Sequence, residues 1–177
     1  IGVENIKNTP LLSRKELEKS LHFELSERSL LVTYHPVTLE SATTEQQCHN
    51  LLKALNKFPE YRIIFTLPNS DTDGRVIMSH IKEFVSKYPD RAIAFTSLGK
   101  VRYLSALQYV SAVVGNSSSG IIEVPSFGIP TLNIGDRQKG RISADSVFNC
   151  GTTTEEIISG LNRIFSEDTS RISRLKN

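Results

Sequence analysis

The chain has 177 residues, of which 38% are hydrophobic and 23% are charged, and its formal net charge is +2 at pH 7. This length and composition predict one globular domain with a core of its own. The small net charge and the scattered basic residues give no basis for nucleic-acid binding. No apolar stretch approaches the roughly eighteen residues that a membrane span requires.

The two cysteines, Cys48 and Cys150, lie far apart in the sequence. They predict two free thiols in a cytosolic protein rather than a disulfide. No signal peptide is recognisable, and the first residue is Ile1 rather than Met. We therefore expect a cytoplasmic protein and a chain that is a fragment of a longer one.

Helix and strand signals alternate in the first half of the chain. Ser13 and Glu16 form a capping box that predicts a short helix with Leu17 and Leu21 on its apolar side. Beyond it, apolar runs predict strands and helical spacing predicts helices. In order, these are a strand at 30–34, a helix at 43–55, a strand at 62–67, a helix that begins after the polar loop 70–74 and ends before 89, and a strand at 92–95.

The same alternation continues in the second half. The predicted elements are a helix at 101–110, strands at 111–114, 131–134 and 147–150, and a closing helix at 153–165. The strands lack polar alternation, which is typical of a parallel sheet covered on both faces. We predict an α/β fold, a Rossmann-like doubly wound parallel sheet of about six strands. We divide the chain into a linker and entry helix (1–29), a ligand-binding domain (30–166) and a polar tail (167–177) that frays or docks elsewhere.

The strongest chemical signal lies between Gly115 and Pro130. A buried strand stops at Gly115-Asn116, and small hydroxyl residues then open a predicted helix. The unpaired N–H groups of a helix N-terminus favour an anion. Glu123 could accept hydrogen bonds from a ribose diol, so the motif predicts a nucleoside diphosphate. The alternative is an ordinary N-cap. The candidate binding residues in this motif are Ser117, Ser118, Ser119, Gly120 and Glu123.

Other polar residues follow the predicted strands, at the sheet edge where doubly wound proteins bind ligands. They are His35, Asn69, Ser97 and Arg137. His35 could donate to a phosphate or transfer a proton, or it could be an exposed loop histidine. The loop 135–141 could bind a diphosphate through guanidinium groups, or it could be a solvated loop.

The remaining acidic and histidine residues predict no metal or catalytic centre. Asp71 and Asp73 are expected to serve the N-terminus of the next helix rather than a divalent cation. His22, His49 and His80 fall on predicted helices, where we expect surface or packing roles.

Four motifs together resemble the hydrolysing UDP-N-acetylglucosamine 2-epimerases of bacterial sialic acid and capsule biosynthesis. They lie at 33–38, 68–71, 115–123 and 135–141, and the resemblance covers roughly residues 30–150. Family members are two-domain proteins of the GT-B type, with the nucleotide sugar in the cleft between two Rossmann-like domains. The chain resembles the C-terminal, UDP-binding half alone. The resemblance implies weak binding of UDP or UDP-N-acetylglucosamine, no turnover without the N-terminal domain that carries most catalytic acids, and a homo-oligomeric parent.

The resemblance also implies a reaction and residue roles. UDP is eliminated from the sugar, and water then adds to give N-acetylmannosamine. His35 is the implied catalytic residue, helping the leaving group, and no metal or other cofactor is implied. The implied UDP-binding residues are Asn69, Ser117, Ser118, Ser119, Gly120, Glu123, Arg137 and Arg141, and the implied uracil-side residues are Ser97 and Leu98.

Several alternatives remain open at the level of sequence. Non-hydrolysing epimerases share the fold, and close relatives act on other UDP-amino sugars. The donor-nucleotide domain of a GT-B glycosyltransferase would use the same helix terminus. A non-enzymatic α/β binding module is a further alternative, because fold alone does not define function.

Overall fold

A computed structural model describes residues 11–35, 41–67, 72–96, 98–115, 129–135 and 147–176. These residues form a parallel sheet of six strands with helices on both faces. The elements in chain order are α1 (Arg14–Leu21), β1 (Ser29–Thr33), α2 (Ser41–Leu55), β2 (Arg62–Thr66), α3 (Thr72–Lys87), β3 (Ala92–Phe95), α4 (Gly99–Leu107), β4 (Ala112–Gly115), β5 (Thr131–Ile134), β6 (Val147–Cys150) and α5 (Thr154–Lys176). The predicted doubly wound fold is confirmed.

The strand order in the sheet is β3-β2-β1-β4-β5-β6, and every neighbouring pair is parallel. The chain therefore builds outwards from β1 to one edge, returns to the centre at β4, and builds outwards to the other edge. In such sheets the order reverses between the two central strands, and a crevice opens there at their carboxyl ends. For this chain the reversal lies between β1 and β4.

The core has two parts, one on each face of the sheet. On the first face, Val32 and Phe65 pack with the helices α2, α3 and α5. On the second face, Leu31 and Val113 pack with α1 and α4. Successive strand residues alternate between these faces, so the apolar runs are explained by burial on both sides.

The helix α1 belongs to this core. Its predicted capping box is confirmed: Ser13 Oγ accepts from the Glu16 N–H at 3.2 Å, and Glu16 Oε1 accepts from the Ser13 N–H at 2.9 Å. Leu17 and Leu21 are buried in the second-face core, and the helix packs with α4. It ends at His22, which has a left-handed φ of 55°. The domain boundary at residue 29 stays a prediction.

Several helix boundaries differ from the prediction. The helices α2 and α3 begin at Ser41 and Thr72, two and three residues earlier than predicted, and α4 ends at Leu107 rather than at residue 110. The helix α4 begins at Gly99, two residues earlier than predicted, where a positive φ of 76° turns the chain.

The helix α5 continues to Lys176, whereas the sequence predicts an end at Phe165 and a fraying tail. After Phe165 the helix contains only two apolar residues, Ile172 and Leu175, so hydrophobic spacing alone underestimates its length.

Arg91 organises the amino edge of the sheet. Its guanidinium donates to the Leu55 carbonyl at 3.0 Å and to the Tyr61 carbonyl at 3.2 Å, at the end of α2 and the turn that follows. The guanidinium carbon also lies 5.5 Å from the ring centre of Phe84 and 5.2 Å from that of Tyr88. One side chain thereby satisfies helix-end carbonyls and joins α2 to α3.

Candidate functional site

The candidate site is the carboxyl edge of the sheet, where β1 and β4 meet. Of the predicted site residues, His35 and Leu98 lie in the described part of the chain. The predicted nucleotide motif directly follows Gly115, and the predicted basic loop directly follows Gly135. The predicted residues that lie outside the described residues are Asn69, Ser97, Ser117, Ser118, Ser119, Gly120, Glu123, Arg137 and Arg141.

The topology brings two of the predicted motifs to one place. His35 follows the end of β1 by two residues, and the nucleotide motif starts where β4 ends. Thr33 and Gly115 are register partners in these adjacent strands. The strand ends carrying the two motifs are therefore neighbours, although some eighty residues separate them in the chain. His35 is half-buried at this position.

Gly115 fits the junction because it has no side chain. A Cβ built on Gly115 would overlap the backbone carbonyl of Thr33, and the φ of Gly115 is +148°. L-residues rarely adopt that conformation. The approach of β4 to β1 therefore requires glycine immediately before the predicted anion-binding motif.

Tyr34 anchors the end of β1 from the first face. Its side chain is 1% exposed, and its hydroxyl donates to Gln47 Oε1 of α2 at 3.0 Å. Burial, together with the neighbouring Cys48, raises the pKa of Tyr34, so the ring stays neutral. This anchor fixes the backbone immediately before His35.

A row of polar residues crosses the second face of the sheet at this edge. The row consists of Thr66, Thr33, Asn133 and Asn149, which occupy successive register positions on neighbouring strands, with Gly115 of β4 between Thr33 and Asn133. The Thr33 and Thr66 hydroxyls are 2.6 Å apart, and Asn133 Nδ2 donates to Asn149 Oδ1 at 3.0 Å.

Sequence reasoning missed this polar row. Each member is one polar residue in or at the end of an apolar strand, and only the strand order places them side by side. The available signal was the repeated occurrence of a polar residue near the carboxyl end of a strand, at Thr33, Thr66 and Asn133.

The end of β3 forms the flank of the edge. The Leu98 side chain is 5% exposed and packs in the second-face core. Its carbonyl accepts from Arg102 Nε at 2.8 Å, and the Arg102 guanidinium carbon lies 5.4 Å from the Phe95 ring centre. The Leu98 side chain is therefore committed to the core, and its carbonyl to Arg102.

The remaining histidines lie elsewhere. His49 of α2 and His80 of α3 place their ring centres 6.5 Å apart, and His80 Nε2 lies 3.2 Å from Glu45 Oε1. They belong to the outer surface of the first-face helices, in agreement with the predicted surface role. Within the described ranges, no three His, Cys, Asp or Glu side chains are grouped closely enough to hold a metal ion.

Both cysteines are free thiols, as predicted. Cys48 is buried and Cys150 is half-buried, and burial raises the pKa of each to about 12. Neither has the electropositive surroundings of a nucleophilic cysteine. Among the described helices, none has the length and apolar character needed to cross a bilayer.

The fold and the reversal of strand order define the class of protein: a Rossmann-like α/β domain whose strand order reverses between β1 and β4. A sequence model of the family described as UDP-N-acetylglucosamine 2-epimerase matches residues 1–177. The chain belongs to that family. Its sheet is the Rossmann-like half of a GT-B fold.

Individual relatives agree with this assignment. The chain is 40% identical over 144 residues to the hydrolysing GDP/UDP-N,N'-diacetylbacillosamine 2-epimerase of Campylobacter jejuni, covering 81% of this chain and 38% of the relative. It is 36% identical over 174 residues to the polysialic acid biosynthesis protein P7 of Escherichia coli, covering 98% and 43%. The chain thus spans about two fifths of the length of these relatives.

Among solved structures, the fold resembles the UDP-GlcNAc 2-epimerase of Neisseria meningitidis bound to UDP-GlcNAc. The TM-score is 0.66 at 18% sequence identity, and the match covers 93% of this chain and 42% of that one. At this identity the likeness establishes the fold.

Proposed function

We propose that the chain is the UDP-binding domain of a hydrolysing UDP-N-acetylglucosamine 2-epimerase that converts UDP-GlcNAc and water to N-acetylmannosamine and UDP. The single observation that carries the proposal is the junction of β1 and β4. There the strand order reverses, and the segments bearing His35 and the motif after Gly115 leave adjacent strands. The names of the relatives support the substrate class.

The proposed binding mode follows from the chemistry of the motifs. Ser117, Ser118 and the neighbouring N–H groups hold the diphosphate, and Glu123 accepts from the ribose hydroxyls. Arg137 and Arg141 neutralise the charge that develops on the leaving UDP, and His35 assists its departure. Cationic side chains and a helix terminus do this work, so no metal is proposed.

The proposed catalytic partner is an N-terminal domain of the same polypeptide. The curated relatives are more than twice as long as the region they share with this chain. The acidic groups that would abstract the sugar proton are assigned to that domain. The chain alone is accordingly proposed to bind UDP and to turn nothing over.

A second substrate is supported by a specific observation. The relative that is 40% identical is named for N,N'-diacetylbacillosamine rather than N-acetylglucosamine, and it is named hydrolysing. We therefore keep a hydrolysing epimerase of a UDP-linked diacetylated amino sugar as the alternative.

The first experiment is a calorimetric titration of the chain with UDP in the presence of a metal chelator. Glu123→Ala and Arg137→Ala are expected to weaken binding by about tenfold or more, since each removes a hydrogen bond to or from a charged group. Matched controls are Glu83→Ala and Lys82→Ala, two exposed positions on α3. Equal affinity in all five proteins, or no binding by a folded wild-type chain at millimolar UDP, would contradict the proposed site.

The second experiment distinguishes the reactions. A polypeptide that joins this chain to its N-terminal domain is incubated with UDP-GlcNAc and, separately, with the UDP-linked diacetylated sugar. Release of UDP together with a free 2-epimerised sugar from one of them is expected. Recovery of a UDP-linked epimer would identify a non-hydrolysing enzyme, and a requirement for an acceptor would identify a glycosyltransferase.

A further inference from the structure

Asn133 is one of two buried polar residues in β5, the other being Thr131 at the start of the strand. Asn133 is 2% exposed, and its neighbours Leu132 and Ile134 are buried hydrophobic residues. Its amide nitrogen donates to Asn149 Oδ1 of the edge strand β6 at 3.0 Å. The Asn149 side of the pair is exposed to solvent.

The other end of the Asn133 amide has no hydrogen-bond partner within the described ranges. This holds whichever way round the amide is placed, because one polar end faces Asn149 and the other end is left over. A buried polar atom without a partner destabilises the folded state, and an apolar residue of similar volume would avoid that cost. Packing therefore does not explain an asparagine here.

The location supplies the explanation. The two polar atoms of an amide point apart, so the unpaired end of Asn133 faces away from β6. On the opposite side of β5 lies β4, and the register partner of Asn133 is Gly115, which brings no side chain into the row. Beyond Gly115 stand the paired hydroxyls of Thr33 and Thr66. The unpaired amide end thus belongs to the junction at which the proposed UDP site lies.

We propose that Asn133 is a positioning residue for UDP binding. The hydrogen bond to Asn149 sets the ends of β5 and β6 relative to each other, and the other end of the Asn133 amide makes its hydrogen bond only when UDP is bound. This inference rests on the proposed function. It requires that an apolar substitution leave the free protein as stable or more stable, while weakening UDP binding.

The test compares unfolding temperature with UDP affinity in the same variants. Asn133→Leu is expected to unfold at or above the wild-type temperature and to bind UDP at least about tenfold more weakly, the effect of one hydrogen bond that forms only in the complex. Asn149→Ala, which leaves the buried Asn133 amide nitrogen without its partner, is expected to unfold below the wild-type temperature and to lose affinity in the same direction.

The matched control is Ser111→Ala at the opposite edge of the sheet. Ser111 is also buried, at 1% exposed, and its hydroxyl donates to the Glu27 carbonyl at 2.8 Å. This variant is expected to unfold at a lower temperature and to bind UDP within about twofold of wild type, because the two sites do not share partners.

The outcomes separate the two proposals. If wild type binds UDP and both Asn133→Leu and Asn149→Ala bind equally well, the positioning role is wrong and the proposed function stands. Parallel loss of unfolding temperature and affinity in Asn133→Leu, with no change in Asn149→Ala, would identify a structural role instead. If the folded wild-type chain does not bind UDP, the proposed function fails and the positioning role falls with it.

Discussion

Gly115 lies opposite Thr33 in the central strand pair, and its backbone comes so close to the Thr33 carbonyl that a Cβ would overlap it. The order in which strands are added to the sheet reverses between these two strands, and the predicted nucleotide motif begins directly after Gly115. The same glycine therefore serves both the packing of two strands and the start of the candidate site.

We predict that Gly115→Ala destabilises the protein by about 2–4 kcal/mol, because the new methyl group meets backbone rather than a movable side chain. Chemical denaturation followed by circular dichroism would measure this change. Gly99→Ala is the matched control, since Gly99 also has a positive φ but a Cβ at that position would have no atom within 4 Å. A loss at Gly115 no larger than that at Gly99 would show that strain, not overlap, decides the outcome.

Arg91→Ala is expected to destabilise the chain by about 2–3 kcal/mol. The substitution leaves the Leu55 and Tyr61 carbonyls without their donor and removes the guanidinium from the Phe84 and Tyr88 rings. Arg91→Lys should recover only part of this, because an ammonium cannot reproduce the planar fork. Urea denaturation of the three proteins tests both statements. Equal stability of the Lys variant and wild type would contradict the claim that the planar guanidinium of Arg91 is needed.

His22→Gly should stabilise the protein by about 0.5–1 kcal/mol. His22 occupies the left-handed region at φ 55° where α1 ends, and its N–H closes the helix through Lys19. Glycine adopts that conformation without the steric cost of a Cβ. His22→Ala is the control, because it removes the imidazole and keeps the Cβ. A rise in unfolding temperature for both variants would assign the effect to the ring instead.

The thiols are expected to be nearly inert in the folded protein. A pKa of about 12, against an ordinary value of 9.0, lowers the thiolate population of Cys48 and Cys150 roughly a thousandfold near neutral pH. Their reaction with an aromatic disulfide reagent should therefore be slow until the chain is unfolded by denaturant. Rapid modification of either residue in the native state would contradict the burial of these thiols.

The same shifts predict a dependence of stability on alkaline pH. A thiol or phenol whose pKa is raised by folding keeps its proton longer in the native state than in the unfolded one. Below the pKa of the unfolded state, which is 9.0 for cysteine and 10.0 for tyrosine, these groups are protonated in both states. They then do not lower the free energy of unfolding. Above those values the unfolded state loses protons first, so the free energy of unfolding falls. The free energy of unfolding can be obtained from denaturation curves between pH 7 and pH 10. It should fall less steeply with rising pH in a Cys48→Ala, Cys150→Ala double variant than in wild type.

Much of the fold could be predicted because the relevant signals are local. Apolar runs locate all six strands to within one residue at each end, and the Ser13 capping box locates the start of α1. The end of α5 could not be predicted, since the helix continues to Lys176 beyond Phe165 through a stretch that is mostly polar in sequence.

The site was predictable only in part, for a different reason. His35 was predicted as a site residue because it follows an apolar run, and that role stays a prediction. Asn133 was not predicted, because its environment depends on β4 and β6, which lie beside β5 only in the folded sheet. Arg91 was missed likewise, since its carbonyl partners lie about thirty residues earlier in the chain. Pairings over such distances leave no periodic trace in the sequence.

The strand order also bears on how the protein folds. The strands β1, β2 and β3 pair in succession, so the first half of the sheet forms by short crossovers. The pairing of β1 with β4 instead closes a loop of some eighty residues, and such long-range closure is entropically costly and slow. That one closure brings together the carboxyl ends of β1 and β4, where the proposed site lies. Under the proposed function, a half-assembled chain would therefore lack the UDP site, and the acquisition of UDP affinity during refolding would report the joining of the two halves of the sheet.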